Sequence, residues 1–350
     1  EYLDFESGLI YNVFIIIACG LAYWTERSGY RPLGLLLTFA FVVIFWAIRY
    51  DIGYDYKGYM TIFYLVKYGC PYDVELGYRW LNKCFTWSQT GYIGALGVMT
   101  ILSYFFLFKM FIREKILTLG LFFSMAFLLQ FMLANQVRQA LVLVYFLSVV
   151  HYLEEGKYWK YILSLLPMLL FHLSVVLLFP LVFVVKWRLS KITWAIALIG
   201  TYIMYLLGFF KEIGTKLMMA FPLYDHYKLT ERMLAEDVGF SSVMLFGLCV
   251  ALFILFFSDV INRPVLLTIY LLGILFYNVF IEFHLIGRVV FYLTYLNVIL
   301  ASVLVKKDWH NGAVLLGVTW LVFLLLAGKE PAHHGNLPYQ TIFDVPLNRY

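Results

Sequence analysis

The chain has 350 residues, 63% hydrophobic and only 13% charged, with a net charge of +5. Soluble domains hold about 45–50% apolar and about 25% charged residues, so the composition excludes a soluble globular protein. The surplus of cations forms no basic face or tail, which points away from nucleic acid and suits loops on an anionic membrane leaflet.

In chain order, Glu1 to Ser7 is acidic rather than basic, unlike a signal peptide, so the first apolar run is expected to act as the insertion signal. Apolar runs follow at 8–23, 33–48, 92–108, 117–133, 140–153, 193–209, 243–257, 265–281, 289–305 and 314–327. Runs of about 17–25 residues cross roughly 30 Å of hydrocarbon as helices, which predicts about 10 transmembrane helices. The run 161–185 differs. Pro167 and Pro180 interrupt it, and His172 and Ser174 sit at its middle. As one span it would place a histidine at mid-bilayer. As two short helices it is a re-entrant pair with His172 at the turn.

The short loops TERSGYR, KMFIREK, EEGKYWK, KWRLSK and KKDWH are dense in Lys and Arg and read as cytoplasmic. They share one face if 161–185 is re-entrant. The expected architecture is therefore an all-α, polytopic integral membrane protein, a single transmembrane domain over 1–350. Loops 49–91 and 211–241, the corners 135–139 and 282–288, and the tail 328–350 open on the extracytoplasmic side.

That side collects the polar residues. RYDIGYDYKGY (49–59) carries Asp51 and Asp55 beside Arg49 and Lys57, and Gly53 permits a turn with positive φ. Carboxylates accept from sugar hydroxyls and tyrosines stack on sugar rings. The same cluster also reads as a self-satisfied loop anchor, with Arg49 snorkelling to the headgroups. ELGYRWLNKCF (75–85) puts Leu76, Trp80, Leu81 and Cys84 together at helical spacing, a short amphipathic helix in the interface. Cys70 and Cys84 could pair if their loop is extracytoplasmic, whereas Cys19 and Cys249 lie in apolar spans and read as core.

Arg138 in NQVRQA and Arg288 in HLIGRVVFY are cations in or beside apolar spans. Such residues are functional by default, and a guanidinium fork matches phosphate oxygens. Snorkelling at a helix end is the bland alternative for each. His172 is either a general base or a satisfied buried histidine. Glu282 and His284 are weaker candidates. His333 and His334 lack the carboxylates and spacing of a zinc enzyme, so no catalytic metal and no cofactor is expected.

The ordered set R-x-x-x-G-x-D-Y-x-x-Y (49–59), E-x-G-Y (75–78), RQALVL (138–143), FHLS (171–174), GR-x-x-x-Y (287–292) and LPYQTIF (337–343) resembles the EpsG family over roughly residues 30–343. These are Wzy-like membrane proteins of exopolysaccharide, capsule and O-antigen synthesis. Asp51 is an extra carboxylate relative to that pattern. The resemblance implies a fold of, or near, the GT-C kind. It also implies polymerisation of undecaprenyl-diphosphate-linked oligosaccharide repeat units, as donor and acceptor, on the outer face of the bacterial inner membrane. A chain-length regulator and a flippase would be partners.

Such chemistry needs cations for the departing diphosphate, Arg138 and Arg288, and a base for the acceptor hydroxyl, Asp55 or His172. The catalytic candidates are thus Asp55, His172 and Arg138. Substrate binding is expected at Arg49, Asp51, Tyr54, Tyr56, Tyr59, Glu75, Tyr78, Gln139, Arg288, Tyr292 and Tyr339. An inverting displacement needs one base. A retaining route would need a second carboxylate, Asp51 or Glu75, and inversion is favoured. The alternatives are a flippase of lipid-linked oligosaccharides, a ligase-like glycan transferase and a membrane acyltransferase.

Overall fold

Backbone in hydrocarbon must satisfy its own hydrogen bonds, so long apolar runs fold as helices. The computed structural model describes residues 5–88, 90–211, 242–281, 290–326 and 339–344, and its secondary structure there is helical apart from one isolated bridge, Arg49 to Thr341. Among the described residues, Leu9–Arg27, Gly91–Glu114, Val137–Glu154 and Val290–Lys307 are each long and apolar enough to cross a membrane. The other apolar helices are shorter; Pro32–Ala47, with 16 residues, is about 24 Å long. Length and composition alone therefore support four spans, or five with the bent pair below, of the ten expected.

The chain forms two compact units. The first comprises 1–152, 157–176 and 313–350. Its helices are α1 (Phe5–Arg27), α2 (Pro32–Ala47), α3 (Tyr56–Lys67), α4 (Leu76–Phe85), α5 (Gly91–Glu114), α6 (Leu117–Ala126), α7 (Leu129–Asn135) and α8 (Val137–Val149). The run 117–133 reads as one span in the sequence. In the structure it is α6 and α7, bent by 69°. No proline or glycine causes the bend; Leu128 adopts a left-handed conformation, φ 64°. The fully buried Gln130 makes this tolerable. Its Nε2 donates to Ser124 Oγ (2.9 Å) and the Leu121 carbonyl (3.4 Å), and its Oε1 accepts from Trp46 Nε1 (2.9 Å). A side-chain amide thus takes up polar groups around the interrupted ladder.

The proline-broken run is interrupted where the sequence predicts. Helix Tyr158–Leu165 tightens into a 3-10 turn, Leu166–Leu170, with Pro167 in its first turn. After Phe171 and His172 a second 3-10 segment follows, Leu173–Leu178, then helix Leu181–Val184 beyond Pro180. Proline removes a backbone donor, and short 3-10 pieces commonly fill such breaks. Its last residues, 177–184, belong to the second unit.

The second unit comprises 153–156 and 177–312. Helices Lys191–Leu206, Ser242–Phe256 and Pro264–Phe280 pack on one another. Buried Asn278 crosses between two of them, donating to Thr201 Oγ1 (3.0 Å) and the Leu198 carbonyl (3.3 Å). Arg263 grips Glu154 with two nitrogens, one at 2.7 Å.

Three cysteine expectations resolve. Cys70 and Cys84 are free and exposed, so no disulfide joins them. Cys249 is exposed rather than core, because it lies on the outward face of its helix. Cys19 is half-buried and lies 3.7 Å from the Thr118 carbonyl.

Candidate active site

The first polar stretch begins where α2 ends. Arg49 is 1% exposed. Its fork donates to the Trp46 carbonyl, to Thr100 Oγ1 (3.1 Å) and to the Ala134 carbonyl (3.1 Å). It ties α2, α5 and α7 together and pairs with neither Asp51 nor Asp55. Asp51 instead bonds Lys57 at 3.2 Å on the surface. The loop then turns at Gly53, φ 95°, where an added Cβ would lie 3.1 Å from Asn135. The Asn135 Oδ1 accepts the Asp55 backbone N–H (2.9 Å). The loop is thereby seated on the 135–139 corner, and Asp55 becomes the residue preceding α3.

Tyr54 is exposed. Tyr56 is buried edge-to-face against Tyr92, with ring centroids 5.2 Å apart. One turn beyond Asp55, buried Tyr59 faces Tyr78 at 6.0 Å. The late motif returns to the same end of α2. Tyr339 stacks on Phe45 (4.5 Å) and its hydroxyl donates to the Phe45 carbonyl. Tyr50 and Ile342 make backbone bonds of 2.9 and 2.8 Å to Gln340 and Ile48.

The second stretch builds the centre. Amphipathic α4 forms as its pattern predicts, but its apolar Leu76 and Trp80 point outward while Tyr78 and Asn82 are buried. That arrangement suits a helix whose greasy face meets lipid rather than protein. In its first turn Gly77 is required: a Cβ there would lie 2.7 Å from the Leu170 carbonyl and 2.8 Å from the Leu170 Cβ. The absent side chain lets the 166–172 turn sit directly on α4 and brings His172 to Glu75.

Glu75 is the meeting point of three segments. Its Oε1 lies 2.9 Å from His172 Nδ1 and accepts the Leu173 backbone N–H at 3.3 Å. Its Oε2 is paired with Arg138, near the start of α8. The Arg138 guanidinium lies over the rings of Tyr78 (5.5 Å) and Tyr59 (5.9 Å), a double cation–π contact. The three charged or titratable side chains retain 18–28% exposure, so the cluster is open to solutes. Burial alone would raise the Glu75 pKa. The hydrogen bond with His172, a backbone donor and the Arg138 charge outweigh it and hold the carboxyl at about 2. Burial pushes the Tyr59 and Tyr78 hydroxyls up, so both remain neutral.

Of the residues singled out in the sequence, the structure unites Tyr59, Glu75, Tyr78, Arg138 and His172. Gln139 is buried beside Arg138 on α8. Tyr292 is fully buried in the second unit. Arg288, Glu282, His284, His333 and His334 lie outside the described residues. Sequence reasoning gave no role to Asn135 or Gly77. A glycine two residues after an acidic helix start was the available signal for the second.

Searches of curated proteins and of solved structures returned no match. The sequence model of the EpsG family does match, over residues 33–341. That range takes in all the segments that build the cluster, from the end of α2 through Glu75, Arg138 and His172 to Thr341, and this membrane protein belongs to the EpsG family.

Proposed function

We propose that the protein is a bacterial polysaccharide polymerase, a glycosyltransferase that joins undecaprenyl-diphosphate-linked oligosaccharide repeat units on the outer face of the inner membrane. Membership of a family of Wzy-like polysaccharide polymerases supports this reading. The observation that carries it is the Arg138–Glu75–His172 cluster. A cation suited to a diphosphate and a group suited to proton transfer stand together, half-open, beside a helix with an outward apolar face.

In the reaction, an acceptor hydroxyl oxygen forms a bond to the anomeric carbon of the donor. The bond from that carbon to the diphosphate oxygen breaks, and the lipid diphosphate leaves with the electron pair. The hydroxyl proton passes to a base. Arg138, whose side chain retains 22% exposure, offers its fork to the departing diphosphate. His172 and Asp55 are the candidate bases. One base and one cation suffice for an inverting single displacement. The neighbouring tyrosines supply ring faces for sugars. A chain-length regulator and a flippase are the expected partners, and no metal takes part.

The test uses purified protein in detergent, a synthetic lipid-diphosphate repeat unit and a metal chelator, with products read by gel and mass spectrometry. A polymer ladder made by the wild type and lost in folded Arg138→Ala is the expected result. Bound substrate returned intact, with or without metal, favours a transporter of the same lipids.

A further inference from the structure

We infer that Glu75 is a positioning residue that fixes the tautomer of His172, so that Nε2 of His172 is the base of the transfer reaction. The inference rests on the polymerase reading and goes beyond it by choosing between the two candidate bases and by giving Glu75 a task other than sugar binding. An ionised carboxylate only accepts hydrogen bonds. At 2.9 Å from Glu75 Oε1, the His172 Nδ1 must therefore carry the shared proton. A neutral imidazole has one N–H, and the bond made by one nitrogen decides the state of the other. With Nδ1 protonated, Nε2 holds the lone pair that can take the acceptor proton.

The rest of the geometry serves this arrangement. The Leu173 backbone N–H bonds the same Oε1 (3.3 Å), so the carboxylate is clamped to the backbone beside the histidine it orients. Arg138 occupies Oε2. Gly77 admits the Leu170 carbonyl within 2.7 Å of where its Cβ would be, which sets the distance between α4 and the histidine turn. Every donor on Glu75 also makes it a poor nucleophile, because both oxygens are engaged and the carboxyl is already held at about 2. Glu75 is thereby removed as the second carboxylate of a retaining route. Asp55, whose backbone is held by Asn135 one turn before Tyr59, is left to accept from sugar hydroxyls.

The experiment uses the full chain in detergent, labelled with ¹⁵N-histidine. The sequence has seven histidines, and His172 is assigned by the signal missing from His172→Gln. Near pH 8, long-range ¹⁵N–¹H correlations should show His172 protonated at Nδ1 and bare at Nε2. Protonation at Nε2 alone, or at both nitrogens, in the folded wild type overturns the proposal. In Glu75→Gln, the population should move toward the Nε2–H form. Turnover should fall about 100-fold, the size of a general-base contribution, with KM little changed. A raised KM with turnover kept would make Glu75 a substrate ligand and overturn the proposal. The tautomer measurement needs no substrate. A folded protein with Nδ1–H on His172 that makes no polymer would sink the polymerase reading, and the role of base with it, while leaving the Glu75–His172 geometry established.

Discussion

Arg49 and Arg138 invite comparison. Both stand where an apolar helix meets a polar corner, and snorkelling at a helix end is the bland sequence reading of each. Arg49 is 1% exposed, and its partners are two backbone carbonyls and a hydroxyl. Arg138 retains 22% side-chain exposure, and its partners are a carboxylate and two ring faces. Its acceptors are fixed in three helices, the Trp46 carbonyl in α2, the Thr100 hydroxyl in α5 and the Ala134 carbonyl in α7, so Arg49 welds the bundle. A side-chain carboxylate and tyrosine faces leave part of the fork free to meet another anion. The acceptor, rather than the arginine, decides which of the two is built for chemistry.

The sharpest way to break that contrast is to remove each arginine in turn. Arg138→Ala should lower polymer formation at least about 100-fold, the usual loss for a cation that stabilises a developing anion, with a smaller drop in unfolding temperature than Arg49→Ala gives, since only the partly exposed Glu75 loses a partner. Arg49→Ala should act the other way. Three buried acceptors lose a charged donor, a cost of about 3 kcal/mol or more, read as a large drop in unfolding temperature and in yield. A stable but inactive Arg49→Ala would place Arg49 in the reaction and end the distinction.

Gly77→Ala comes next. Its Cβ must displace the Leu170 backbone, an overpacking cost of about 1–3 kcal/mol. Because the displaced turn carries His172, activity should fall further than stability predicts, whereas a substitution at an open glycine such as Gly58 should leave both near wild type. Equal effects at the two positions would show that the close approach of α4 and the histidine turn does not matter.

How far the sequence reached follows from the same residues. Hydropathy located the helices, because burial in hydrocarbon acts on every residue of a run. The break at His172 was legible because prolines mark it. The bend between α6 and α7 was not, since no proline or glycine marks the left-handed Leu128, and the buried amide that compensates it, Gln130, draws partners from α2 and α6. Arg138, His172 and Glu75 were each legible as chemistry in an apolar setting. Their meeting was not, because it depends on a missing Cβ at Gly77. In the 49–59 loop the sequence left a sugar site and a loop anchor open; Arg49 turns inward and Asp51 pairs locally, as an anchor would.

Acid tests how firmly Arg138 and His172 hold Glu75. The Glu75 carboxyl is held at about 2, below its ordinary 4.5. A depressed carboxyl contributes stability that is full above the ordinary value and is lost as pH falls through the folded one. The extra stability that ionised Glu75 gives wild type over Glu75→Gln should therefore still be present at about pH 5 and disappear only on approach to about pH 2. A difference that closes at mild acidity would mean that Arg138 and His172 do not hold Glu75 as described.

The smallest effect belongs to the 49–59 loop. Asp51 and Lys57 are 3.2 Å apart, but their side chains are 37% and 75% exposed. Exposed pairs contribute about 0–1 kcal/mol and weaken with salt. Lys57→Ala should change stability by less than about 0.5 kcal/mol and leave the polymer ladder as it was. Asp51 carries a second constraint, a left-handed backbone with φ 49°. Asparagine tolerates that conformation and alanine resists it by about 1–2 kcal/mol. Asp51→Asn should therefore be silent while Asp51→Ala is destabilising, a ranking set by backbone rather than charge. If Asp51→Asn shortens the polymer while the fold is unchanged, the carboxylate meets substrate. The 49–59 loop would then be part of the active site, and the division between a structural Arg49 region and a chemical Arg138 region would have to be redrawn.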